Sequence, residues 1–256
     1  MCTVLLLRRP NHPWPLILAA NRDEMTSRPW RAPGRHWPER PQVVAGLDQE
    51  AGGSWLGVND DGVVAAVLNR RGSLGARPDK RSRGELVLEA LDHAEARPAA
   101  EALAHLDPLA YRSFNLVVAD DREAFWLRNR AEDGPGRVEL IDLPPGLSML
   151  TAGDLNDPSS PRVRTHFGRI LSAPAPDPES GDWLAWEAIM ASRLHDAGDG
   201  PEAAMTVVTE GGFETVSSSL IALPARPLEL GPPSRRPLWR FAPGRPGETP
   251  YEEIAF

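Results

Sequence analysis

Leu18-Ala19-Ala20-Asn21-Arg22-Asp23-Glu24-Met25 is the stretch on which the reading of this chain turns. An apolar run from Leu16 to Ala20 leads directly into Asn21-Arg22-Asp23-Glu24, and no Gly or Pro follows until Pro29. A short apolar run of this kind reads as a buried strand. A surface turn would end it with Asn-Gly or Pro-Asp, so the polar residues need another reason. Thr3 to Leu7 is a second apolar run, and the connector Arg8-Arg9-Pro10-Asn11-His12-Pro13-Trp14-Pro15 joins the two as a hairpin. Pairing the strands brings residues 21–24 alongside Cys2, the one cysteine of the chain.

A cysteine at position 2 has a chemistry of its own. Loss of Met1 would leave it with a free α-amine of pKa about 7.7–8.0 beside a thiol of about 8.5. That amine can take the thiol proton near neutrality, so the nucleophile carries its own general base. Such a site also needs an acid to hold the amine and donors for a developing oxyanion. On this reading Asp23 holds the amine and Arg22 stabilises negative charge. The residues alone equally allow a buried structural cysteine and an ordinary ion-pair cluster at a strand end.

The rest of the chain excludes several classes. At 256 residues it can bury a core without disulfides, and one cysteine forms neither an intramolecular disulfide nor a Cys-based zinc cluster. A net charge of −8 and a pI near 5.3 argue against nucleic-acid binding. The N-terminus is too briefly apolar for a signal peptide, and no stretch approaches the roughly 18 apolar residues of a membrane span. The expected protein is therefore cytoplasmic, without a membrane span. Phosphate-cradling, nucleophile-elbow and dinucleotide motifs are absent. The six histidines show no metal-ligand spacing, so no metal site is expected.

Local patterns fill in an α+β chain. Arg28 to Gln42, rich in Pro and Trp, reads as an ordered irregular loop. Asn59-Asp60-Asp61-Gly62 marks a hairpin, and Ser82-Arg83-Gly84-Glu85 matches a capping box ahead of a helix. A second helix is expected after Pro98. Further strands are expected at 114–119, 124–127, 138–143, 205–208 and 219–223, a further helix at 183–194, and a largely irregular tail from about residue 224. Sheets layered with helices in one domain over residues 1–256 account for this order.

The motifs resemble the NRDE-motif family, also called the transport and Golgi organisation family. The resemblance rests on Met1-Cys2, A-A-N-R-D-E at 19–24, G-L-D at 46–48, G-G-S-W-L-G at 52–57, L-N-R at 68–70 and S-R-G-E-L at 82–86. That family is similar to the N-terminal-nucleophile hydrolases, in particular the penicillin V acylase and bile-salt hydrolase branch, which implies a four-layer αββα sandwich. The resemblance implies Cys2 as nucleophile, Asp23 as amine-holding acid, with Glu24 as the alternative under a one-residue shift, and Asn69 as oxyanion donor. Asn59 stands ten residues before Asn69, and Arg22 is the less direct carry-over. Asn21, Glu24, Trp55 and Asn59 are expected around the substrate. Ala152 falls where the acylases supply a second oxyanion asparagine. The implied function is action on an acyl amide or thioester through Cys2, with no cofactor required. The alternative is a non-catalytic carrier of haem or acyl-CoA-like ligands, with Trp30, Trp37 and Trp55 lining an apolar cleft. Without a C-x-x-C-H motif any haem would bind non-covalently.

Overall fold

A computed structural model of the chain describes residues 2–130, 136–226 and 235–256. The strands up to the middle of the chain are β1 (Thr3–Arg8), β2 (Leu16–Met25), β3 (Trp30–Gly34), β4 (Val43–Asp48), β5 (Leu56–Asn59), β6 (Val64–Asn69) and β7 (Phe114–Ala119). After them come β8 (Ala124–Asn129), β9 (Val138–Asp142), β10 (Gly146–Leu150), β11 (Phe213–Leu223), β12 (Leu238–Ala242) and β13 (Glu252–Glu253). The helices are α1 (Gly84–Leu91), α2 (Ala96–Ala104), α3 (Pro161–Ser172) and α4 (Leu184–Met190). The class is α+β, as expected, and every strand pairing is antiparallel.

Contacts divide the chain into two compact units where the sequence suggested one domain. The first is Met1–Ser27 with Pro145–Ala255, and the second is Arg28–Pro144. The first unit holds a six-stranded sheet in the order β10-β1-β2-β11-β12-β13. Its apolar face, with Leu5, Ile17, Ala19, Met149 and Leu220, packs on Val163 and Ile170 of α3 and on Trp186, Ile189 and Met190 of α4. The hairpin of β1 and β2 forms as read, but β2 does not end at Asn21. It runs on to Met25 and stays paired with β11 down to Phe213, through a bulge between Thr215 and Ser217. Asn21, Arg22 and Asp23 are therefore strand residues and buried ones, at 1%, 5% and 4% exposure. Buried groups of this kind must be hydrogen-bonded or ion-paired, and that requirement shapes the site below.

The second unit is a seven-stranded meander in simple chain order, β3 to β9, covered by α1 and α2. Asn59 to Gly62 makes the expected turn, with Gly62 at φ 79°, a conformation that favours glycine. Gly53 serves a different purpose. A Cβ on it would stand 2.5 Å from the carbonyl carbon of Gly84, at the start of α1. The two main chains touch there, and the Ser54 amide donates to the Gly84 carbonyl at 3.0 Å. Gly53→Ala is expected to lose about 1–3 kcal/mol, as overpacking of a close contact does. A urea unfolding midpoint unchanged from wild type would sink this reading.

Several local expectations need correction. Part of the 28–42 loop is the strand β3, whose Pro33 is tolerated because β3 is an edge. The capping box does not form: the Ser82 hydroxyl accepts from the Gly84 amide, and Glu85 is held by the Arg81 guanidinium instead. α2 begins at Ala96, before Pro98, and α4 is only seven residues long. Residues 205–208 form no strand, although Met205 and Val207 are buried. The tail beyond 224 contributes β12, which extends the sheet beside β11 with Trp239 and Phe241 buried. Residues 227–234 of that tail lie outside the described residues.

Candidate functional site

The register of the first hairpin sets the site. Thr3 pairs with Asn21, so Cys2 falls beside Arg22 and Asp23. Its Sγ lies 3.6 Å from the main-chain oxygen of Asp23, as donor to it. The residue is half-buried. Burial pushes the thiol above its ordinary value and the Asp23 carboxylate adds to this, while Arg22 works against it. Cys2 is thus held as a neutral thiol at pH 7, and reaction through it calls for a base.

Alternation along β2 sends Asn21 and Asp23 toward the helices of the first unit and Arg22 toward the opposite face. The Asp23 carboxylate accepts from the Thr215 hydroxyl at 2.6 Å and from the Arg162 guanidinium at 3.0 Å. Arg162 also donates to Thr3 Oγ1 at 2.6 Å and to the Glu202 carbonyl at 2.8 Å. Both charged side chains are almost fully enclosed, at 2% and 0% exposure. The site has a buried ion pair directly behind Cys2, and Arg162 is the residue of this cluster that sequence reasoning missed. Nothing at position 162 announces a partner 139 residues away. The only available signal was the requirement that a buried Asp23 find a cation somewhere.

The remaining expected residues divide sharply. Asn21 donates to the carbonyls of Met190 and Met205 at 3.0 and 2.9 Å, and its oxygen accepts from Ser218 at 2.6 Å. Its amide ties β2 to Met190 at the end of α4 and to Met205. Asn59, in the second unit, is similarly committed. It donates to the Leu91 and His93 carbonyls at 3.0 and 2.7 Å and accepts from the Val63 amide at 2.8 Å. These bonds clamp the β5–β6 turn onto the end of α1.

Asn69 differs: it is half-buried at the end of β6, paired with Phe114, and its amide makes no hydrogen bond among the described residues. Glu24 is half-buried and its carboxylate accepts from the following Met25 amide at 2.8 Å. Trp55 is partly buried, its ring filling the space that a Cβ on Gly46 would need, and edge-on to Trp30 at 5.8 Å. Trp37 belongs to the core, its indole donating to the Gly52 carbonyl at 3.1 Å. Ala152 is buried in the turn after β10. Met1, whose removal the chemistry requires, lies outside the described residues.

Among the described residues no group of three or more His, Cys, Asp or Glu stands together as a metal site. Neither the fully buried histidine nor Cys2 is well placed to ligate haem. His166 is fully buried, but one ring nitrogen faces the Leu194 carbonyl at 3.0 Å and the other the Arg169 guanidinium at 3.0 Å. The Cys2 thiol, raised above its ordinary value, is not a ready thiolate ligand. A cavity of about 250 Å³ in the first unit lies among Pro178, Trp183, Leu238, Trp239 and Ile254, and none of the site residues lines it.

The family model described as Transport and Golgi organisation 2 matches residues 1–182. The chain belongs to that family. The human Transport and Golgi organization protein 2 homolog is 35% identical over 158 residues, 56% of this chain and 52% of its own length. The Bos taurus homolog is 41% identical over 114 residues, 41% of this chain and 38% of its own. The chain thus spans about half or less of the curated family members it matches. Two solved structures share the fold. Penicillin V acylase from Agrobacterium tumefaciens matches 99% of this chain and 86% of its own at 14% identity, with a TM-score of 0.53. A variant of conjugated bile acid hydrolase from Clostridium perfringens matches 99% and 92% at 12% identity, also with a TM-score of 0.53. This Transport and Golgi organisation 2 family member therefore has the N-terminal-nucleophile hydrolase fold. No helix among the described residues is long and apolar enough to cross a membrane.

Proposed function

We propose that this family member hydrolyses or transfers an acyl group from an amide or thioester through an acyl-Cys2 intermediate. The observation that carries the reading is the placement of a half-buried thiol on the main chain of Asp23, whose carboxylate is locked by Arg162. Removal of Met1 frees an amine whose pKa, about 7.7–8.0, suits it to accept the thiol proton. The thiolate then adds to the acyl carbon, and collapse of the tetrahedral intermediate expels the amine or thiol leaving group with a proton from the same amine. Water, or a second acceptor, breaks the thioester in the return step. Asp23 keeps the α-amine oriented and Arg22 offers positive charge on the other face of β2; Asn69 is the oxyanion donor that the family resemblance implies. Ala152 removes one such donor relative to the acylases, a change worth about 10²–10³ in kcat, so slow turnover is expected.

The test is covalent. Met1-processed protein incubated with a short-chain acyl thioester or activated ester is expected to gain one acyl mass on Cys2. Cys2→Ala should gain none, and Met1-retaining protein should gain little at pH 7, where its thiol is neutral. Absence of any adduct on processed wild type would defeat the enzyme reading. It would leave the carrier reading that Ala152 favours, with an acyl-CoA-like ligand ahead of haem for the reasons given above.

A further inference from the structure

The segment Arg70 to Arg83 carries six cations and one carboxylate, a net of +5 in a chain whose total is −8, and it includes the only lysine, Lys80. This loop of the second unit, between β6 and α1, is a local concentration of positive charge in an acidic protein. The loop is ordered by cations that grip main-chain carbonyls. Arg112 donates to Gly72 at 2.7 Å, to Gly75 at 3.3 Å and to Leu74. Lys80 Nζ donates to the Leu109 carbonyl at 2.5 Å, and the Arg81 amide to Ala110 at 2.8 Å. Residues 70–83 and 107–112 therefore form one continuous surface.

Two leucines stand out on it. Leu74 is 52% exposed and Leu109 is 59% exposed. Each has a cation seated on its own carbonyl, so apolar side chain and positive charge are presented side by side. Arg77 is ion-paired with Asp79 and Arg81 with Glu85 and Glu89, and Asp107 accepts from the Leu109 amide, so the positive charge that the segment 70–83 presents comes from its other four cations. Arg71 among these is exposed.

We propose that this surface docks the protein on an anionic lipid bilayer, the two leucines entering the headgroup region and the cations facing lipid phosphates. Cations and exposed apolar residues together are what a membrane interface selects, the charges acting over a Debye length and the leucines on contact. A polynucleotide would use the charge but has nothing to offer the leucines, and Tyr111, the aromatic on this surface, is buried and unavailable to stack bases.

The test is co-sedimentation with vesicles of phosphatidylcholine alone or with 30% phosphatidylserine. Partitioning onto the phosphatidylserine vesicles is expected to exceed that onto neutral ones by about tenfold or more and to fall steeply between 50 and 500 mM salt. Arg71→Glu with Lys80→Glu should remove the preference. Leu74→Ser with Leu109→Ser should weaken binding severalfold to the same vesicles, with the thermal midpoint of each variant checked against wild type. Equal binding to both vesicle types would overturn the proposal. So would charge-reversed protein that still binds, leucine variants indistinguishable from wild type, or tighter capture by a single-stranded oligonucleotide.

Discussion

Arg162→Ala is expected to lower the free energy of unfolding by about 3–5 kcal/mol, the range for leaving one partner of a buried ion pair uncompensated. The expectation follows from enclosure rather than from counting bonds. Both side chains are nearly sealed from water, and Arg162 is shared among Asp23, Thr3 and Glu202. Removing it strands a carboxylate, a hydroxyl and a carbonyl at once. A double replacement, Asp23→Leu with Arg162→Met, is expected to recover much of the loss, because an apolar pair of similar volume is often no worse than a buried salt bridge. Urea unfolding of the three proteins decides the matter. If the double variant is as unstable as Arg162→Ala, the role of Arg162 is in packing α3 and not in charge. Acyl labelling of the double variant gives a separate readout, since it should fold and yet lack the acid that orients the amine.

A second large effect is expected on acidification. His166 sits one turn along α3 from Arg162, fully buried. An arginine can only donate, so the ring nitrogen facing Arg169 must accept, and the other carries the proton and donates to Leu194. Burial, with Arg169 and Arg162 adding to it, pulls the imidazole pKa down from 6.5 to about 4. The folded state thus keeps His166 neutral where the unfolded chain already binds a proton. Stability from this group is fully present above pH 6.5 and is lost as pH falls toward 4, for a total of about 3 kcal/mol. His166→Gln should remove that part of the slope, so wild type should lose about 3 kcal/mol relative to the variant between pH 6.5 and pH 4. Parallel stability curves across this window would show that the histidine is not a buried neutral group.

Much of the fold was legible because its signals are local. The meander of the second unit is built from neighbouring strands joined by turns such as Asn59 to Gly62, which a short window reveals. The continuation of β2 through Asn21-Arg22-Asp23-Glu24 was not legible, since polar residues inside a buried strand look in sequence like the end of one. Their partners lie at 162, 190, 205, 215 and 218, and no spacing rule connects them to 21–23. α3 escaped for a related reason: its buried face carries Arg162 and His166 along with Val163 and Ile170, so its apolar stripe is interrupted. The ten-residue spacing of Asn59 and Asn69 was visible, but not that hydrogen bonding commits one amide and leaves the other uncommitted.

The strand order of the six-stranded sheet also bears on when the surroundings of Cys2 are complete. β1 and β2, which bring Cys2 to its place, lie between β10 and β11, both supplied from the far part of the chain. At about 5–20 residues per second, the ribosome needs about 10–40 s after making the hairpin before β11 exists. The second unit, contiguous and joined by neighbouring strands, can fold in that interval. Until then Cys2 lacks the Asp23–Arg162–Thr215 cluster that positions it, and a chain cut short anywhere before Thr215 never acquires it. Cys2 is among the first residues to be synthesised and among the last to reach its folded surroundings, so under the proposed mechanism a nascent or broken chain carries only an ordinary thiol.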